Sequence, residues 1–298
     1  MNYSELIKKG QTQAAPRIVL IGVEGVGKST AGAQMPKPIF LCSENGLVGK
    51  QFADVAHAAP KTWEEVLGFL DYLRNEKHGY ENLVVDTLDW LEPVLYKFVC
   101  ARDKKTSVED YGYGKGYVVA CDEFRGMLSR LEALNRSGMG ILILAHSQIK
   151  AFNNPIGENY DRYEMKVAKQ ISALTKEWAD CVLFARFETY TKKEGLKSKG
   201  VGGTARVVHT THCAAWDAKN RYSLPEILPL DMGEIMAAIS AGAGDDTSAL
   251  IAEINELIPS LDEKKAKITL EWLSKPQTSQ ALSIMLNKIR ATLTTSQE

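Results

Sequence analysis

The chain contains no apolar run of the ~18 residues that a membrane span requires. Its first residues, Met1 to Lys9, lack the apolar stretch of a secretion signal. There are 5 cysteines in 298 residues, Cys42, Cys100, Cys121, Cys181 and Cys213, and they show no paired spacing. Cys42, Cys100 and Cys181 stand in apolar runs and read as small core residues of a reducing compartment, not as a disulfide framework. An excess of one charge is also missing. The 36 Lys and Arg against 37 Asp and Glu leave a net charge of −1, so any nucleic-acid contact must come from local patches and not from a bulk basic field. No internal repeat is visible. What is present is ordinary for a globular protein: 45% hydrophobic and 24% charged residues, enough for a true core, in a length that suits one medium domain plus an appendage.

One segment is far from ordinary. Gly22, Val23, Glu24, Gly25, Val26, Gly27, Lys28 and Ser29, followed by Thr30, fit the phosphate-binding pattern G-x-x-x-x-G-K-[ST] at every fixed position. The short apolar run Ile18 to Ile21 before it reads as a buried strand, and Ser29 to Gln34 can open a helix. Strand, glycine loop and helix together point backbone N–H groups at a phosphate. Gly22, Gly25 and Gly27 let the backbone wrap the anion without Cβ clashes. Lys28 reaches the β- and γ-phosphates of ATP, the Ser29 hydroxyl ligates Mg²⁺, and Thr30 supports the α-phosphate side. The alternative is a chance glycine turn between a strand and a helix.

Strands and helices alternate beyond this loop. Pro38 to Cys42, Leu83 to Asp86, Gly140 to Ala145 and Cys181 to Phe184 read as buried strands. Thr62 to Arg74, Val118 to Arg136 and Ser172 to Trp178 read as helices, the first with the capping-box pair Thr62 and Glu65. Short apolar strands separated by helices imply a mostly parallel sheet covered on both faces. Val182 to Thr191 and Thr204 to His212 lean towards an antiparallel hairpin with a basic tip. The division predicted is an N-terminal arm at 1–16, a nucleotide-binding core at 17–240, a linker at 241–247 and a helical module at 248–298, where Leu250, Ile254 and Leu257, then Leu282, Leu286 and Ile289, recur at helical spacing. His209 and His212 sit three apart on a predicted strand and so point to opposite faces, which favours a structural role over a metal site.

The carboxylates choose among phosphate-loop proteins. Asp86 ends an apolar strand and is the natural residue to hold Mg²⁺ through a water. Thr87 follows it, where many such ATPases carry a glutamate base, so the base must lie elsewhere. Glu44 is the candidate. It lies just past Ile39 to Cys42, expected to be the strand beside Ile18 to Ile21, at a carboxyl end where ligands gather, and it can deprotonate the attacking water. A loop glutamate without a catalytic role is the alternative.

This order resembles the core of the RecA family. Leu142 to Lys150 is similar to the family's strand that ends in a polar pair with glutamine. The resemblance implies that Gln148 senses the γ-phosphate, with His146 as a neighbour. Asp217 to Tyr222 resembles the Lys-x-Lys or Lys-x-Arg segment, which implies that Lys219 and Arg221 reach a neighbouring subunit's γ-phosphate; a solvated turn is the alternative. The fold implied is α/β, a RecA-like P-loop NTPase core with a mostly parallel sheet flanked by helices, an antiparallel hairpin and a small C-terminal helical module. The lack of a sizeable N-terminal domain, with Tyr111 to Tyr117 and Ala218 to Pro225, looks like the core-only RecA-type proteins of phages, which anneal or recombine DNA. The implied setting is the cytoplasm of a bacterial host, and the implied partners are single-stranded DNA, further copies in a filament or ring and, as a candidate, a single-strand-binding protein. A DnaB-like ring motor and a regulatory NTPase acting through its helical tail are the other readings.

Two loops would touch DNA in that family. The first, Arg102 to Tyr117, offers Lys104, Lys105, Lys115, Tyr111 and Tyr113, with lysines for phosphates and tyrosine faces for stacking; a turn whose tyrosines pack on the core is the alternative. The second, Lys150 to Lys169, offers Lys150, Phe152 and Arg162, although its charges nearly balance. A loop so long is usually functional or disordered. The tip residues Lys192, Lys193, Lys197 and Lys199 are the most basic local feature, equally readable as a solvated turn.

Overall fold

The computed structural model describes residues 15–44, 46–194, 197–242, 247–273 and 279–295. Most of the proposed N-terminal arm, most of the linker and the side chains of Lys192, Lys193, Lys197 and Lys199 lie outside the described residues. In chain order the elements are β1 (Arg17–Gly22), α1 (Lys28–Ala33), β2 (Pro38–Cys42), β3 (Ala56–Ala58), α2 (Trp63–Asn75), β4 (Asn82–Asp86), α3 (Leu88–Arg102), α4 (Lys115–Arg136), β5 (Gly140–Phe152), β6 (Tyr160–Met165), α5 (Lys169–Trp178), β7 (Cys181–Glu194), β8 (Lys197–His209), β9 (Lys219–Asn220), β10 (Ile227–Pro229), α6 (Met232–Gly242), α7 (Thr247–Leu257), α8 (Glu263–Leu273) and α9 (Ser279–Thr295).

The sheet runs β10-β8-β7-β1-β5-β4-β2-β3, with β6 paired to β5 and β9 to β7. β3, β2, β4, β5, β1 and β7 are mutually parallel, while β7, β8 and β10 continue antiparallel. The central strands are buried on both faces, and for that reason they read in sequence as unbroken apolar runs. Alternation along β1 divides its side chains between two cores. Val19 and Ile21 pack with Trp63 and Leu70 of α2, Leu91 of α3 and Phe124 of α4. Ile18 and Leu20 pack with Val26, Ala31 of α1, Phe40 of β2 and Ile235 of α6. The Thr62 hydroxyl accepts from the Glu65 amide at 3.2 Å and the Glu65 carboxylate accepts from the Thr62 amide, closing the capping box that starts α2. In the C-terminal helices Ile254, Ile258, Leu282, Leu286 and Ile289 form a core of their own. No helix among the described residues is long and apolar enough to cross a membrane.

Two expectations need correction. β2 does not lie beside β1. Both edges of β1 are taken, by β5 and β7, and β4 separates β5 from β2; nearness in sequence does not fix nearness in a sheet. The segment from Lys150 to Lys169 is not one long loop either. β5 extends to Phe152 and β6 returns against it in register from Ser147↔Met165 to Phe152↔Tyr160. The pairing satisfies backbone groups that a long loop would leave open.

Candidate nucleotide-binding site

The phosphate loop leaves β1 at Gly22, where a Cβ would stand 2.9 Å from the Ala185 carbonyl oxygen of β7. Gly25 and Gly27 take φ of 70° and 103°, the left-handed region that favours glycine. Val26 between them is buried and anchors the loop to the core. Lys28 is buried, and its Nζ donates to the carbonyl oxygens of Gly22 at 3.2 Å and Val23 at 3.1 Å. Burial lowers its pKa, against the pull of Asp89, Asp86, Glu44 and Glu24. Thr30 follows the loop, and Glu24 within it is exposed and 4.0 Å from Lys166 of the β6–α5 connection.

Asp86, at the end of β4, is 1% exposed. Its side chain takes a hydrogen bond from Ser29, yet its Oδ1 has no partner. Burial pushes its pKa up, countered by Ser29 and Lys28. An unsatisfied buried carboxylate oxygen beside a hydroxyl is a donor set that suits a hard divalent cation. Among the described residues no group of three or more His, Cys, Asp and Glu forms a metal cage; Mg²⁺ fits this, because it is usually held by one or two protein oxygens together with waters and phosphates.

Glu44 is half-buried at the same edge, although two strands separate β2 from β1. Its neighbour Ser43 fixes it there. The Ser43 amide donates to the Asp86 carbonyl at 2.9 Å, its hydroxyl donates to the Thr87 carbonyl at 2.8 Å, and that hydroxyl accepts from the Thr87 amide at 2.9 Å. Burial, then the Asp86 charge, raises the Glu44 pKa, while His146 and Lys28 oppose the rise.

His146 emerges more strongly than its sequence suggested. It stands abreast of Gly22 across the β1–β5 pair. Asp89, in the first turn of α3, accepts from the His146 amide at 2.9 Å and from the ring Nδ1 at 2.8 Å. Burial pushes the Asp89 pKa up, but these bonds outweigh it and leave it below the usual carboxylate range. Gln148, two residues on, donates its side-chain amide to the Met165 carbonyl at 3.3 Å. No spacing rule in the sequence joins Asp89 to His146; only the position of His146 at the end of a buried strand hints at the pair.

Lys219 and Arg221 lie elsewhere. Lys219 pairs with Val182, itself abreast of Val19, roughly 10 Å along the sheet from the Gly22 end of β1 at 3.3 Å per residue. Lys219 Nζ caps α5, donating to the carbonyls of Lys176, Glu177 and Ala179 at 2.5–3.1 Å. Arg221 is exposed and pairs with Asp180 at 3.0 Å.

The expected DNA-contacting residues divide. Lys104, Lys105, Lys115 and Tyr113 are exposed. Tyr111 instead packs inward, its hydroxyl within hydrogen-bond reach of two acceptors, the Val99 carbonyl at 2.9 Å and the Asp103 carboxylate at 2.8 Å. On the β5–β6 hairpin Lys150 is exposed and Phe152 packs against Tyr160 at 5.2 Å. Arg162 is only 7% exposed, lies under the Phe152 ring and pairs with Asp217, so it supports the hairpin from beneath and presents no free guanidinium at its surface.

A phosphate loop on β1, an aspartate on a strand one place removed from it, and β5 between them define a RecA-like P-loop NTPase core. The family model described as an AAA domain matches residues 14–222, and the chain belongs to that family, as an AAA-type, RecA-like ATPase domain. Among solved structures it is similar to the flagellar accessory protein FlaH from Methanocaldococcus jannaschii, with 10% identity, a TM-score of 0.33, and coverage of 72% of this chain and 90% of that one. No curated protein matches it.

Proposed function

We propose that the protein binds and hydrolyses ATP and uses the nucleotide to control its hold on single-stranded DNA, promoting annealing or strand exchange in the manner of the core-only phage RecA-type proteins. Lys28 exchanges its loop carbonyls for the β- and γ-phosphates. Mg²⁺, on Ser29 directly and on Asp86 through water, would neutralise charge on those phosphates. Glu44 takes the proton of the attacking water, with a pKa moved from the ordinary glutamate value towards working pH. Asp89 accepts Nδ1–H of His146, which leaves Nε2 as the free ring nitrogen beside the carboxylates.

One observation carries the link to DNA. β5 is a single 13-residue strand that carries His146 abreast of Gly22, then Gln148 two residues on, then Lys150 and Phe152 on the hairpin with β6. A rigid element with one end at the γ-phosphate position and the other at an exposed basic and aromatic edge suits coupling between the two. Stacked bases contribute about 1–3 kcal/mol each in such sites. Titration of single-stranded and duplex DNA with and without ATP, followed by electron microscopy, tests the reading. ATP-dependent preference for single strands, with filaments, supports it. Hexameric rings would favour the motor, and no DNA binding at all the regulatory NTPase.

A further inference from the structure

The loop carries a second cation that its motif does not include. Arg206 of β8 lies against Gly27, where a Cβ would meet its Nη1 at 2.7 Å. Position 206 is held on both sides of β8. Phe187 of β7 pairs with it, and the Leu230 amide donates to the Arg206 carbonyl at 3.1 Å. The Phe187 ring stands 5.9 Å from the guanidinium carbon. Arg206 is an exposed residue, and among the described residues it makes no ion pair. Its neighbour Arg186 is by contrast committed, with Nε at 3.0 Å from His209 Nε2 and its guanidinium over Trp216.

We infer that Arg206, backed by Phe187, is the nucleoside-side contact of the site, acting in cis on the α-phosphate and the ribose–base end of the nucleotide. The inference rests on the nucleotide-binding reading above. Its geometry comes from the two flanks of β1. Asp86, Glu44 and His146, the groups suited to the γ-phosphate and its water, all lie on the β5 side. The polyphosphate must therefore leave the loop towards β7 and β8, and there it meets a free planar cation with five donors and an aromatic face. The position of Gly27 also gains a second reason for glycine: any side chain there would displace Arg206.

Calorimetric titration of ADP and of pyrophosphate separates the ends of the site. Arg206→Ala is expected to weaken ADP about tenfold or more, the scale of a charge-assisted hydrogen bond, and to leave pyrophosphate within about twofold of the wild type. Arg206→Gln, which keeps the stem and its packing, should repeat the loss, and Arg206→Lys should restore part of it. ADP affinity unchanged in Arg206→Ala overturns the inference. Equal losses for ADP and pyrophosphate also overturn it, because they would put the guanidinium on the phosphates that Lys28 holds. A wild-type protein that binds neither ligand would remove the nucleotide reading itself, and this inference with it.

Discussion

The two flanks of β1 are built on opposite terms. On the β5 side Asp89, Asp86 and Glu44 are buried or half-buried and are held in place: Asp89 by two bonds from His146, Asp86 by Ser29, Glu44 through its neighbour Ser43. On the β7 side Arg206 is exposed and unpaired among the described residues. Fixed, shifted carboxylates suit chemistry, which loses rate steeply when geometry loosens. A free guanidinium on a strand suits binding, where the group can adapt to what arrives. The difference suggests that catalysis and nucleotide grip are separable in this protein, and substitutions on the two sides should part accordingly.

Lys28→Ala removes the residue that both flanks share. Hydrolysis should be abolished and nucleotide binding weakened, read by phosphate release and by titration. Wild-type turnover in that variant would remove the nucleotide reading.

Glu44→Gln isolates the acidic flank. ATP binding should persist, while hydrolysis falls by roughly 10²–10⁴, the contribution of a general base, and the DNA-bound assembly should be trapped. The pH profile sharpens this. Activity of the wild type should rise with pH through the Glu44 pKa, which lies above the ordinary glutamate value of ~4.3, and the variant should lose that acid limb. Unchanged hydrolysis would move the base to Glu24 or Asp89.

How much of this was legible depended on the kind of order involved. β2 and the Thr62–Glu65 cap could be read to the residue because each depends on local chemistry: an unbroken apolar run, and a hydroxyl three positions before a carboxylate. The phosphate loop was legible for the same reason, since its glycines answer to backbone angles. Helix α3 was not, because Pro93 interrupts its pattern. Strand order was not, because β5 and β4 insert between β1 and β2 through long-range pairing that leaves no trace in the spacing around Glu44. The Asp89–His146 pair and Arg206 joined the site for a similar reason, as residues distant in sequence that the sheet brings together.

Asp89→Asn should have a smaller effect than Glu44→Gln. Losing the group that orients His146 should cost roughly tenfold to a hundredfold in hydrolysis, as loss of a histidine's orienting partner does at metal sites. It also has a pH signature. The folded-state pKa of Asp89 is depressed, so its stabilisation is present above the unfolded value of ~3.9 and is lost as pH falls through the folded one. Acid denaturation should therefore destabilise the wild type more than the variant across that range. Equal acid sensitivity would mean that the pair contributes nothing to the fold.

Arg221→Ala should disturb the isolated chain least. Its partner Asp180 keeps a second cation, Arg17, at 2.7 Å, and an exposed ion pair is worth about 0–1 kcal/mol. Folding and nucleotide binding should stay near wild type. Arg221 lies at the end of the sheet away from its own phosphate loop, so a role in hydrolysis requires a second subunit. Under that reading hydrolysis and ATP-dependent assembly fall together. Lys219 is the stricter case, because its bonds to three carbonyls at and just past the C-terminal end of α5 must break before it can reach out, and Lys219→Ala should also loosen α5. Mixing decides the matter. Arg221→Ala subunits combined with Lys28→Ala subunits, each inactive alone, should recover part of the activity wherever an intact phosphate loop meets an intact arginine. No recovery despite demonstrated co-assembly would leave Arg221 as a surface partner of Asp180, and the filament or ring reading would lose its link between ATP and assembly.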